Sequence, residues 1–133
     1  MNSKTTKSSH ILAPVSLGEL IDKITILQIK KGHMKGIQLK NVDKELELLK
    51  CILKDKNFEI EINLFNKLKE VNNALWDIED QIRVKESNKE FDSDFIQLAR
   101  SVYQKNDLRA IVKKEINYKY NSDLIEEKSY RKY

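Results

Sequence analysis

Asn72, Trp76, Glu79 and Arg83 recur at intervals of 4, 3 and 4 residues. At about 3.6 residues per turn, that spacing lines them up as one stripe on a helix. A guanidinium four residues after a carboxylate forms the favourable i,i+4 pair, which contributes only roughly 0.2–0.5 kcal/mol when exposed. Beside an apolar seam the same pair either fixes helix register or holds a planar anionic group in the arginine fork. Trp76 adds an aromatic plane and an N–H donor. A second group, Arg100, Tyr103, Arg109, Lys128 and Tyr130, brings cations and phenols from three segments. A helix start at Asn106-Asp107 would favour an anion there, although Asp107 as its cap would occupy the same donors. The candidate ligand-binding set is therefore Trp76, Glu79, Arg83, Arg100, Tyr103, Arg109 and Lys128.

Other chemistry finds less support. Glu19-x-x-Asp22 and Asp77-x-x-Asp80 each place two acids one helical turn apart, and a hard ion such as Mg²⁺ needs oxygen ligands from facing helices. A helical projection turns both pairs away from the apolar stripes of their helices, which argues against convergence. His10, His33 and Cys51 lack the paired spacing of a four-ligand zinc site. The glycines are Gly18, Gly32 and Gly36, which build no phosphate-cradling loop. No metal or cofactor is expected, no catalytic residue stands out, and the balance leans away from an enzyme.

The elements that must position these residues read as helices throughout. Ser16 and Glu19 form a capping box, followed by Leu17, Leu20, Ile21, Ile24 and Leu27 at helical spacing. Ile26 and Ile29 point away from that stripe, so the first helix is apolar on more than one side. It must be covered either by a second copy of the chain or by burial within the monomer. A second helix spans about 41–55, with Cys51 as a small packing residue. A long helix, about 60–87, carries the seam Leu64, Leu68, Val71, Leu75, Ile78 and Ile82 in a short heptad-like pattern. A cap at Asp92 or Ser93 opens a helix to Gln104, a break at Asn106-Asp107 opens another, and a short segment follows Asn121-Ser122. The expected fold is all-α, with five to six helices in a compact bundle around the long central helix and short antiparallel or coiled-coil-like packing. Residues 1–13 read as a flexible tail, tethered by Ile11, Leu12 and Val15, ahead of one domain over 14–133.

With 133 residues, 35% of them charged, and a single cysteine, the chain fits one cytoplasmic domain without an internal disulfide. No apolar run approaches the roughly 20 residues of a membrane span. The polar N-terminus has no apolar core behind it, so no secretory signal is expected. The net charge of +4 conceals blocks. Residues 1–56 hold 11 bases against 6 acids, 57–98 hold 5 against 10, and 99–133 hold 9 against 5. A nucleic-acid binder would concentrate its cations on one aromatic-interleaved face. Neither a nucleic-acid partner nor a membrane is expected.

Several stretches also resemble, in order, a family of small bacterial and bacteriophage proteins known only as a domain of unknown function. They are Pro14 to Leu27, Val71-Asn72 with Leu75-Trp76 through Arg83, Leu98 to Tyr103 with Asn106-Asp107 and Arg109-Ala110, and Glu126 to Tyr130. The resemblance implies a compact helical fold and no established activity, and it directs attention to Glu79, Arg83, Arg100, Tyr103, Arg109 and Lys128. Gln28 stands where an acid is expected, which weakens any metal site on the first helix. The combined reading is a non-catalytic binder of a small anionic metabolite, nucleotide-like or nucleotide-sugar-like, acting as a homodimer. The alternatives are a homo-oligomeric assembly protein without a ligand and a Mg²⁺-dependent all-α nucleotide pyrophosphohydrolase.

Overall fold

The computed structural model describes residues 9–133. The first eight residues of the expected tail lie outside them. Ile11 and Leu12 stand 91% and 81% exposed, so they do not tether the chain as the sequence suggests. The described chain forms four helices, α1 Leu17–Lys31, α2 Gly36–Asp55, α3 Ile62–Ser87 and α4 Ser93–Lys119. Residues 121–133 carry no helix or strand and fold back along α4 through the ion pairs Lys113–Glu126 and Lys114–Glu127.

Four helices replace the expected five to six because Asn106 and Asp107 lie inside α4 rather than between two helices. Their intrinsic cost in a helix is only about 0.5–0.7 kcal/mol each. Val112 and Ile116, buried one and two turns later, supply far more by packing against α1. The caps follow local chemistry. Ser16 Oγ accepts the Glu19 N–H at 3.1 Å, and Asp92 Oδ1 accepts the Phe95 N–H at 3.0 Å. The second half of the capping box is missing, because the Glu19 carboxylate accepts instead from Lys113 Nζ, 2.7 Å away. Gly36 opens α2 at φ +62°, a left-handed conformation that a side chain would strain.

The centre of the bundle is α1, not the long helix. It packs against α2, α3 and α4, whereas the backbone of α2 approaches α1 only. Leu20, Ile21, Ile24 and Leu27 meet Leu46, Leu64, Leu68, Val112 and Ile116 in one core. Ile29 is buried as well, and Ile26 half-buried. The all-round apolar character of α1 is therefore satisfied within a single chain. Helices α3 and α4 extend past the end of α1 as an antiparallel hairpin. The buried residues of α3 end at Asn72, and those of α4 begin at Val112. Cys51, expected to pack, lies exposed on α2.

Where α1 crosses α4 the backbones nearly touch. The Gly18 N–H donates to Asn117 Oδ1 at 2.7 Å, and a Cβ at Gly18 would sit 2.5 Å from the Lys113 carbonyl oxygen. At Gly32 the nearest atom to a new Cβ is 3.4 Å away. Gly18→Ala should therefore destabilise the fold by roughly 1–3 kcal/mol through overpacking, while Gly32→Ala stays within about 0.5 kcal/mol of wild type. Urea unfolding followed by circular dichroism measures both. Equal stability of the two variants would contradict the close approach.

Candidate functional site

The polar residues of α1 and α4 form two facing ladders. Ser16, Glu19, Asp22 and Thr25 follow one another at i+3 on α1, and Arg109, Lys113 and Asn117 at i+4 on α4. Helical geometry places each set on one edge. Asp22 is completely buried. Its Oδ1 accepts from Arg109 Nε and Asn72 Nδ2, both at 2.9 Å, and its Oδ2 accepts from Arg109 Nη2. Asn72 also donates to Thr25 Oγ1 at 2.8 Å, and Thr25 donates in turn to the Asp22 carbonyl at 2.8 Å. One carboxylate thus ties three helices together.

The projection that turned Asp22 outward assumed a helix with one free side. Because α1 is enclosed by three others, its polar side is buried too, against α4. Lys113, 7% exposed, continues the ladder. Its Nζ donates to Glu19 at 2.7 Å and Glu126 at 2.8 Å, and it lies 4.0 Å from Asp22. Burial lowers the Lys113 pKa, but the bonds to Glu126 and Glu19 outweigh it and leave the group above its ordinary value. Hydrogen bonding to Asp22 raises Arg109 similarly.

Above this ladder, α4 and residues 126–133 enclose a groove of about 1240 Å³. Tyr103, Asn106, Asp107, Arg109 and Ala110 line the helix side. Lys128, Tyr130, Arg131, Lys132 and Tyr133 line the other. Including Glu19, Lys113 and Glu126, the lining holds five cations and three carboxylates. Tyr133 packs edge-on against Tyr103, with ring centroids 4.6 Å apart. A hydrogen bond to Asp107 raises the Tyr133 phenol above its usual value.

The groove gathers Tyr103, Arg109 and Lys128 from the expected set and leaves out Trp76, Glu79, Arg83 and Arg100. Arg83 points into solvent, its side chain 76% exposed, with Glu79 at 3.4 Å as its partner. Arg100 is exposed on α4 and bonds to none of the described residues. Trp76 stacks on His33 of the α1–α2 turn, with centroids 4.6 Å apart and planes 21° from parallel. Its indole N–H is buried and finds no acceptor among the described residues. Asp77 and Asp80 are exposed on α3, while Glu19 and Asp22 are engaged by Lys113 and Arg109. The four carboxylates do not converge, and the described residues hold no group of three His, Cys, Asp or Glu able to take a metal ion. No described helix is long and apolar enough to cross a membrane. Sequence reading passed over Lys113, Asn117, Ser122 and Glu126. The available signal was the i+4 run Arg109–Lys113–Asn117, which matches the i+3 run on α1.

Two outcomes follow from the ladder. Asp22→Asn keeps the side-chain shape but leaves Arg109 facing a neutral amide. It should cost about 3–5 kcal/mol, as breaking a buried pair does, measured by chemical unfolding. Glu126 is held below its usual carboxylate range, first by its hydrogen bond to Lys113 and then by Lys128. Its contribution is present above the ordinary value of 4.5 and is lost as pH falls through the lowered value. Carboxyl-carbon NMR should show Glu126 titrating below the ordinary glutamate value of 4.5. A titration at that ordinary value would mean that the Lys113 contact does not persist in solution.

No curated protein and no solved structure matches the chain. Residues 12–133 match the profile of DUF6165, a family of unknown function, and by that match over nearly its whole length the chain belongs to this family.

Proposed function

We propose that the protein is a non-catalytic binder of a small anionic molecule, nucleotide-like or nucleotide-sugar-like, in the groove between α4 and residues 126–133. The observation that carries this reading is the groove itself. It combines three tyrosines with an excess of cations over carboxylates in a concave space of ligand size. Tyr103 and Tyr130 supply rings for a base or sugar. Their neighbours on the outer side supply charge for a phosphate. The engagement of Glu19 and Asp22 by Lys113 and Arg109 weighs against the Mg²⁺ hydrolase alternative.

Thermal melting against nucleotides, nucleotide-sugars and sugar phosphates tests the proposal. A ligand present at about 100 times its Kd stabilises the folded state by about 2.7 kcal/mol, a shift of several degrees. Tyr130→Ala, 74% exposed and outside the core, should abolish the shift without altering the ligand-free melt. Absence of a shift with every class would remove the proposal's support.

Self-association is a second reading, now favoured by a different surface. Leu108, Ile111 and Tyr118 stand 42%, 58% and 61% exposed along α4, and Ile111 also lines the groove. Light scattering would show a dimer that Leu108→Glu, outside the groove lining, dissociates. A monomeric wild-type protein would count against this reading.

A further inference from the structure

The cations of the groove are not equivalent. Arg109 spends its Nε and Nη2 on Asp22, and its Nη1 lies 3.5 Å from Asn106. Lys113 is shared between Glu19 and Glu126. Asp22, Glu19 and Glu126 therefore offset the two cations of α4 with three carboxylates. The helix side of the groove offers an incoming anion no surplus positive charge, and Asp107 makes it repulsive. Lys128, Arg131 and Lys132 remain. Lys128 lies 3.3 Å from Glu126 with its side chain 42% exposed. Arg131 and Lys132 are exposed and pair with none of the described residues.

All three lie on one segment held at intervals. At its start Ser122 accepts the Leu17 N–H at 3.0 Å and donates its own N–H to the Asn117 carbonyl at 2.8 Å. Glu126 and Glu127 rest on Lys113 and Lys114. At the far end the Tyr133 ring rests edge-on against Tyr103. Between these ties, residues 128–132 are exposed and free of regular structure.

We propose that residues 121–133 act as a closing strap, in which Lys128, Arg131 and Lys132 hold the anionic part of the ligand. The other end of the ligand lies against Tyr103, Asn106 and Asp107. This deepens the groove reading given above and rests on it. The two sides differ in what they recognise. The strap takes phosphate oxygens, and the helix offers a carboxylate, an amide and a phenol, which pair with hydroxyl donors. The ligand class is thus a phosphate or pyrophosphate ester of a hydroxyl-rich compound rather than a bare inorganic anion. A ligand touching both sides binds the closed strap more tightly than the open one and shifts the population towards it.

Titration calorimetry and hydrogen exchange of the full chain, with pyrophosphate and with UDP-glucose as probes, test this. UDP-glucose should bind more tightly than pyrophosphate and slow amide exchange across 121–133. The double variant Arg131→Ala/Lys132→Ala should lose roughly tenfold or more in affinity, since each removes a charge-assisted bond, with an unchanged melting temperature. Arg83→Ala, on the exposed side of α3, should bind as wild type does. Binding of UDP-glucose with no slowing across the strap, or with full affinity in the double variant, would overturn the strap and leave the groove standing. Failure of both probes to bind would overturn both.

Discussion

A buried carboxylate without water must be answered by its own protein, and Asp22 is answered by three helices. Desolvating a charge costs several kcal/mol even after relaxation, so a carboxylate at the centre of the bundle needs a cationic partner. Arg109 neutralises it with a planar two-point contact, which fixes orientation as well as distance. Asn72 uses its donors on both Asp22 and Thr25, so α3 is held in rotation as well as in depth. Apolar contacts among Ile21, Leu68 and Ile116 supply most of the adhesion, but such contacts tolerate sliding. The polar ladder selects one register from the several that a Leu- and Ile-rich interface would accept.

That constraint also explains why the groove exists where it does. The ladder exits the core at Lys113, which needs a second carboxylate and finds it in Glu126, beyond the end of α4. The chain is thereby drawn back along the helix it has just left. The groove is the space between that return path and the helix edge, and its chemistry is divided accordingly. Charges facing the core are matched, and charges facing outward are in surplus.

Much of this was legible from residue order. Ser16, Asp92 and the seam from Leu64 to Val71 announce helix starts and buried edges by local rules, and the structure agrees. The break expected at Asn106-Asp107 failed because propensity is a weak term beside the burial of Val112 and Ile116. The outward reading of Asp22 failed for a related reason. A projection locates a side relative to its own helix and carries no information about how many neighbours enclose it. The orientation of Ile29 away from the first stripe was the clue that α1 is covered by more than one neighbour, and it applied equally to Asp22, which leaves only the edge through Lys23 open. Tyr103, Arg109 and Lys128 could be named in advance as a group. Their separation from Arg83 and Arg100 could not, because it depends on α3 and α4 running beyond the end of α1.

The contact between Gly18 and Asn117 joins residues 99 positions apart, and that between Leu17 and Ser122 spans 105. Closing a loop of that length costs about 4 kcal/mol of chain entropy before any contact rewards it. Helices α1 and α2 are adjacent in sequence and can pair early, as can α3 and α4, whereas the edge of α1 that meets α4 must wait for a partner almost at the other end of the chain. During synthesis, the polar edge of the first helix therefore stays open until residues beyond 122 have left the ribosome. The helix at the centre of the finished bundle is thus closed from one side long before the other.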